Sequence, residues 1–172
     1  MSMNVSEAIR TKRAIRKFEA KPLPEEAVQA ILTAGRRAQS SKNSQPWHYV
    51  VVRERESLEA LSKMGTYAGH MAGAALGVVF VTVDPAVRWA IMFDSGQSAS
   101  YMQLAAWELG IGSCLATIYE PDQARALLGV PADMHINVAI SFGYPAAAEL
   151  APRAPKAGGR RPLADVVHWE KW

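Results

Sequence analysis

Residues 39–52 read QSSKNSQPWHYVVV: three serine hydroxyls, a lysine and the side-chain amides of Gln39, Asn43 and Gln45 crowd into a loop that runs straight into an apolar strand. Hydroxyls and amides both donate and accept hydrogen bonds, so Ser40, Ser41 and Asn43 suit a ligand with many hydroxyls and a heteroaromatic edge better than a bare phosphate or a metal ion. A phosphate has its own candidates. Lys12, Arg13, Arg16 and Lys17 fall within six residues, arginine offering a bidentate fork and lysine a point charge. Arg160 and Arg161 form a second basic pair. The turn Gly110-Ile111-Gly112-Ser113-Cys114 adds a place where backbone can approach a flat ligand. Together these features suggest a site for flavin mononucleotide (FMN).

Each feature also has a plainer reading. Cationic runs are usually solvated faces, a segment rich in Ser, Asn and Gln is often just a helix-to-strand turn, and the glycines could serve only as a helix cap. Trp47 suits the core better than a cofactor stack. Other chemistries are excluded more firmly. The segment GIGSCL lacks the third glycine of a dinucleotide fingerprint and follows a helix where that motif needs a strand. His48, His70, His135 and His168 lie far apart without zinc or hydrolase spacing, Ser113 sits in no nucleophile elbow, and no phosphate-binding Walker loop is present.

The elements that must hold these residues are legible from periodicity. Val5, Ala8 and Ile9 share a helical face that ends near the basic cluster. A second helix begins with Pro24 at its first position, Glu25 and Glu26 at its positive pole, and buries Val28, Ile31, Leu32 and Gly35. Trp47 to Val52 is so continuously apolar that an interior strand covered on both faces is expected. Leu58 and Leu61 mark a short helix, and Leu76 to Val83 a buried strand stopped by Asp84-Pro85. From Ala86 to Leu109 apolar residues cover more than one helical face, as a central helix packed on several sides would require. A strand at Cys114 to Ile118, a helix at Pro121 to Leu128 closed by Gly129, and a strand at Ile136 to Phe142 complete the set.

Length and composition bound the rest. At 172 residues, about half hydrophobic, the chain fits one domain, 1–172, with a real core. A net charge of +3 without long basic runs favours small anionic ligands over nucleic acid. The lone Cys114 reads as inert packing, and the polar N-terminus MSMNVSEAIRTKR lacks the apolar core of a signal peptide, so a cytoplasmic, non-membrane protein is expected. Residues 145–172 turn rich in Ala, Pro, Gly and Arg and end with Val166, Val167, Trp169 and Trp172, the composition of an arm that docks on a partner.

Five segments in order resemble the nitroreductase family over nearly the whole chain. They are Lys12-Arg13-Ala14-Ile15-Arg16 for an RRSxR motif, Ser40-Ser41-Lys42-Asn43-Ser44-Gln45-Pro46-Trp47 for SSxNxQPW, Asp94-Ser95-Gly96-Gln97-Ser98 for DxGxA, Gly110 to Cys114 for GLGSC, and Gly159-Arg160-Arg161-Pro162-Leu163 for an RKPL-type segment. The resemblance implies an α+β fold, a mixed central β-sheet flanked by helices, in an intertwined homodimer with FMN at the subunit interface and residues 145–172 as the embracing arm. It implies that Lys12, Arg13 and Arg16 hold the phosphate and pyrimidine edge, that Arg160 and Arg161 reach the phosphate, and that Ser40, Ser41 and Asn43 approach from the other subunit. Gly112 and Ser113 would lie beside the ring. Departures are Lys12 where Arg is usual, Ala14 where Ser is usual, and Gln39 where Pro often stands; backbone N–H groups around Ala14 can still serve a ligand. The activity implied is ping-pong hydride transfer from NAD(P)H through FMN to a nitroaromatic or quinone, with no metal and no protein acid or base in the chemistry, and with little chain to form a substrate lid. Dehalogenation, flavin fragmentation, deazaflavin-dependent reduction and a non-enzymatic flavin-binding or redox-sensing role are the alternatives.

Overall fold

A computed structural model describes residues 3–151 and 159–172. In chain order these form α1 (Val5–Thr11), α2 (Glu25–Arg36), β1 (Trp47–Val52), α3 (Arg55–Ser62), β2 (Leu76–Thr82), α4 (Ala90–Glu108), β3 (Gly112–Thr117), α5 (Pro121–Leu128), β4 (His135–Gly143) and the short α6 (Ala147–Leu150). Local chemistry sets the helix ends. Asn4 caps α1 by accepting from the Glu7 N–H at 2.9 Å, and Gly110 and Gly129 take left-handed φ values of 72° and 64° just beyond α4 and α5. Pro24, expected at the first helical position of α2, stands at its N-cap instead, and the helix begins one residue later at Glu25.

The strands form one sheet in the order β1-β2-β4-β3, and every named pair is antiparallel. Among the described residues, the parallel component of the expected mixed sheet is a single bridge between Ala14 and Ser113. All seven residues of β2 are buried at the centre. Against one face pack α2 and α4, with Val28, Ile31, Met102 and Ala106 meeting Leu76, Val78, Ile140 and Phe142. Leu58, Leu61, Met71 and Ala124 cover the other face, against Val79, Val81, Ile136 and Ala139. The fold is thus α+β, with helices on both sides of the sheet.

Two expectations need correction. β1 lies at an edge of the sheet, not in its interior. Its unbroken apolar run reflects cover on both faces instead, since Trp47 and Tyr49 pack into the first core while Val50 and Val52 pack into the second. The long helix also starts later than expected, after a separate 3-10 turn at Pro85–Val87, and one flank is open within the protomer. Ile91, Ala99, Met102 and Ala106 are buried, yet Trp89 is 77% exposed and Phe93 64%, with Met92 and Tyr101 also exposed.

The expected C-terminal arm, 145–172, falls partly on residues 152–158, outside the described residues. Its last segment forms a 3-10 turn at Leu163–Asp165 and leaves Leu163, Val166, Trp169 and Trp172 exposed, the last two at 85% and 102%. No helix among the described residues is long and apolar enough to cross a membrane.

Candidate functional site

The basic segment is seated on a saddle of glycine. Gly112 and Gly143 are paired across β3 and β4. A Cβ on Gly112 would lie 2.6 Å from Ile15, and one on Gly143 would lie 2.8 Å from the Phe18 ring. Without side chains at this pair, the segment from Lys12 to Phe18 can lie against the sheet's end. It is pinned there by the Ala14–Ser113 bridge, by Ile15 N–H donating to the Ser113 carbonyl at 3.0 Å, and by the Phe18–Pro145 bridge. Ile15 is fully buried beneath it. Glycine at 112 is therefore required by a contact within the chain, while Ser113 is only 1% exposed.

The cations of this strap have different duties. Arg13 donates to the Glu149 carbonyl at 2.5 Å, which fastens the strap to α6, and its Nε is buried without a hydrogen-bond partner among the described residues. Lys12 is half-buried and donates to Oε1 of Gln103 on α4 at 3.1 Å. Burial pulls the Lys12 pKa below its ordinary value, partly opposed by the nearby Cys114. Arg16 is exposed and makes no hydrogen bond or ion pair among the described residues. Arg160 and Arg161 are exposed after the left-handed Gly159, and no hydrogen bond or ion pair ties them to the strap among the described residues.

Ser40, Ser41 and Asn43 are held at the opposite end of α4. The backbone N–H of Ser41 donates to Oδ2 of the buried Asp94 at 3.0 Å, Ser40 Oγ accepts from the Gln45 N–H at 2.9 Å, and Arg88 reaches Ser44 Oγ at 2.6 Å. Lys42, Asn43 and Gln45 all have positive φ, between 44° and 54°. Three non-glycine residues in that region within four positions are strained, and such strain persists only where surrounding contacts over-determine the loop. Tyr49 adds a tie from β1 to α4, its hydroxyl 2.6 Å from Ser98 Oγ, and burial raises its pKa to about 12. Nine residues of helix separate Asp94 from Gln103, so the loop and the strap are anchored about 13 Å apart along α4.

Two residues beyond Ser113 on β3, Leu115 opens onto a groove of about 170 Å³ between α4 and the sheet, walled by Phe80, Met92, Ala99 and Val138. The groove also contains Ser95, whose buried Oγ has no hydrogen-bond partner among the described residues. Behind β3, the buried His70 lies 2.8 Å from Ser141 Oγ and 3.2 Å from the Leu115 carbonyl. A carbonyl only accepts, so Nε2 carries the proton and Nδ1 accepts from the serine hydroxyl. Among the described residues no cluster of His, Cys, Asp or Glu could hold a metal ion. Cys114 is buried, and burial pushes its thiol pKa up, which fits packing rather than reactivity.

Asp94, Gln103 and His70 are the polar contributors that the sequence did not single out as site residues. Asp94 stood inside a recognised motif, and that placement was its signal in the sequence. Nothing local to Gln103 or His70 distinguishes either.

Burial lowers the His70 pKa, Arg16 lowers it further, and the bond to the Leu115 carbonyl partly opposes both. Because the folded value lies below 6.5, the unfolded chain binds the proton more readily. The stability contributed by the neutral ring is complete above about pH 6.5 and shrinks as pH falls toward the folded value. His70→Gln, which bonds without titrating, should flatten the fall of Tm between about pH 7 and pH 5.5. Parallel acid slopes for the two proteins would remove His70 as the titrating group.

The family model for the nitroreductases matches residues 9–68 and 61–144. A protein of Archaeoglobus fulgidus, provisionally named NADH dehydrogenase/NAD(P)H nitroreductase, is 33% identical over 174 residues, covering 95% of this chain and 96% of its own length. Among solved structures, an FMN-dependent nitroreductase from Clostridium difficile superposes with a TM-score of 0.83 at 28% identity, over 96% of this chain and 98% of that one. The NADPH:FMN oxidoreductase of Vibrio harveyi, solved with NAD+, gives a TM-score of 0.81 at 27% identity, over 97% of this chain and 77% of its own. Since the family model spans most of the chain and the Archaeoglobus relative matches along nearly all of it, this chain belongs to the nitroreductase family.

Proposed function

We propose that the chain is an FMN-dependent oxidoreductase that accepts reducing equivalents from NAD(P)H and passes them to nitroaromatics, quinones or similar small acceptors, working as a homodimer. One observation supports this most: an exposed, unengaged Arg16 and a half-buried Lys12 stand on a strap held rigidly against β3. The names of the Clostridium and Vibrio relatives support the cofactor class.

The donor set fits such a group. Lys12 spends one ammonium proton on Gln103 and keeps two N–H donors for a phosphate, and Arg16 keeps its whole fork. Ser40 accepts through Oγ from Gln45 and retains its O–H to donate; the Ser41 hydroxyl and the Asn43 amide add further donors and acceptors at that end. The backbone around Ala14, Gly112 and Ser113 lies where the strap meets β3, and the groove at Leu115 offers apolar walls to a flat ring. Arg13 contributes charge from its bond to Glu149. Arg160 and Arg161 are proposed to reach the phosphate from the terminal segment.

FMN supplies the hydride acceptance and donation when bound. The chain's residues orient and bias it. Arg16 provides a permanent positive charge that favours the electron-rich reduced form, and the strap and loop fix the position at which donor and acceptor must alternate. No side chain is assigned a proton-transfer role. Among the described residues, β2 and α4 are joined by only a short turn, and α3 with the 68–73 turn packs on the sheet's far face. This leaves little chain for a lid and supports a broad choice of acceptor.

Dimerisation is supported by apolar surface a lone protomer would leave wet: Val87, Trp89 and Phe93 at the start of α4, and Leu163, Trp169 and Trp172 at the C-terminus.

Purified protein should show absorption bands near about 370 and 450 nm and should oxidise NAD(P)H faster with a nitroaromatic present than free FMN does. Arg16→Ala should weaken FMN binding about ten- to a hundredfold, as expected for loss of a charge-assisted contact, or lower the bound flavin's potential. Unchanged affinity and potential would take Arg16 out of the site. Deleting residues 163–172 should raise the dimer dissociation constant measured by sedimentation equilibrium, and an undiminished dimer would contradict the docking of this segment.

A further inference from the structure

We infer that Gln103 is a positioning residue for the cofactor's phosphate: its side-chain carbonyl aims the Lys12 ammonium without neutralising it, and so sets the preference for a phosphorylated flavin over an unphosphorylated one. This rests on the FMN reading above and assigns a role to a residue of α4 that belongs to no binding motif.

Gln103 is 6% exposed, and its Oε1 accepts from Lys12 Nζ at 3.1 Å. An ammonium only donates, so the atom facing it must be the carbonyl oxygen, which leaves the amide nitrogen elsewhere. That Nε2 is buried with no hydrogen-bond partner among the described residues. A buried donor left unmade is destabilising, and an aliphatic side chain would fill this helix position without that cost. Packing therefore gives no reason for an amide here, whereas holding Lys12 does.

Lys12 needs such a holder. A guanidinium presents a flat, pre-formed fork, but an ammonium is a point charge on a four-carbon stem with no preferred aim of its own. Burial further disfavours the charged form of Lys12. A neutral oxygen acceptor restores part of the lost hydration while leaving the full positive charge available to an anion. A carboxylate at the same place would form an ion pair and cancel it. One helical turn further along α4, Trp107 Nε1 donates to Thr11 Oγ1 at 2.9 Å. α4 thus holds two successive residues of the strap's start: Trp107 fixes Thr11, and Gln103 fixes the ammonium of Lys12.

The test is to titrate full-length wild type, Gln103→Glu, Gln103→Met and Lys12→Ala with FMN and, separately, with riboflavin, following flavin fluorescence. Wild type should prefer FMN. Gln103→Glu should cut FMN affinity about tenfold or more while changing riboflavin affinity less than about twofold. Gln103→Met should lower the same preference by a smaller factor, with a urea midpoint equal to or above that of wild type. In a Lys12→Ala background, both Gln103 substitutions should leave the FMN-to-riboflavin ratio unchanged, because the residue they act through is gone. A wild type that prefers FMN while both single Gln103 variants keep its full preference would overturn the role of Gln103 and leave the FMN reading standing. A wild type that binds neither flavin would overturn both.

Discussion

The close approach of the strap to the sheet is the contact on which the site depends. Two glycines paired across β3 and β4 leave room for Ile15 and Phe18, and the segment between those residues is bound by bridges at Ser113 and Pro145. A side chain at either glycine would force the strap outward, since the space is already filled to within 3 Å. Overpacking of this kind costs on the order of 1–3 kcal/mol in a well-packed core. The cost in geometry would be greater than the cost in stability. Lys12 and Arg16 take their positions from this segment, and a displacement of about 1 Å is enough to spoil a binding constellation.

α4 acts as the beam between the strap and the polar loop of each chain. Near its start, Asp94 fixes the backbone of Ser41; toward its end, Gln103 and Trp107 fix Lys12 and Thr11. Met102 and Ala106 lock the same helix into the core against α2 and the sheet, so both sets of functional groups refer to one rigid element. The strained loop at 42–45 is tolerable because Asp94, Ser40 and Arg88 hold it from different directions. The exposed Trp89 and Phe93 lie beside its start, so the loop borders the apolar surface proposed to face a second copy.

Much of this was legible in the sequence because it is encoded locally. Helices and strands followed from periodicity and from Gly110 and Gly129, and the strap, the polar loop and the glycine turn each announce their chemistry in a few consecutive residues. What was illegible is non-local. The partners of Ser41, Lys12 and Thr11 lie 53, 91 and 96 residues away, and no spacing rule links them. That Arg13 would be engaged by Glu149 while Arg16 stays exposed could not be read from a run of like charges. β1 was misplaced in the sheet because burial on both faces and burial between two strands leave the same apolar signature. The flank of α4 presented the reverse difficulty: its aromatic residues read as core, and within one protomer they face outward.

On the proposed reading, a complete site needs the strap of one copy and the loop of another. Mixed dimers assembled from an Arg16→Ala chain and a chain bearing Ser40→Ala, Ser41→Ala and Asn43→Ala test it directly. If the site is shared, each parent homodimer is defective at both sites, while the mixed dimer regains one intact site and binds one FMN per two chains near wild-type affinity. If strap and loop of the same chain formed the site, every site in the mixed dimer would carry a defect, and no high-affinity FMN would be recovered.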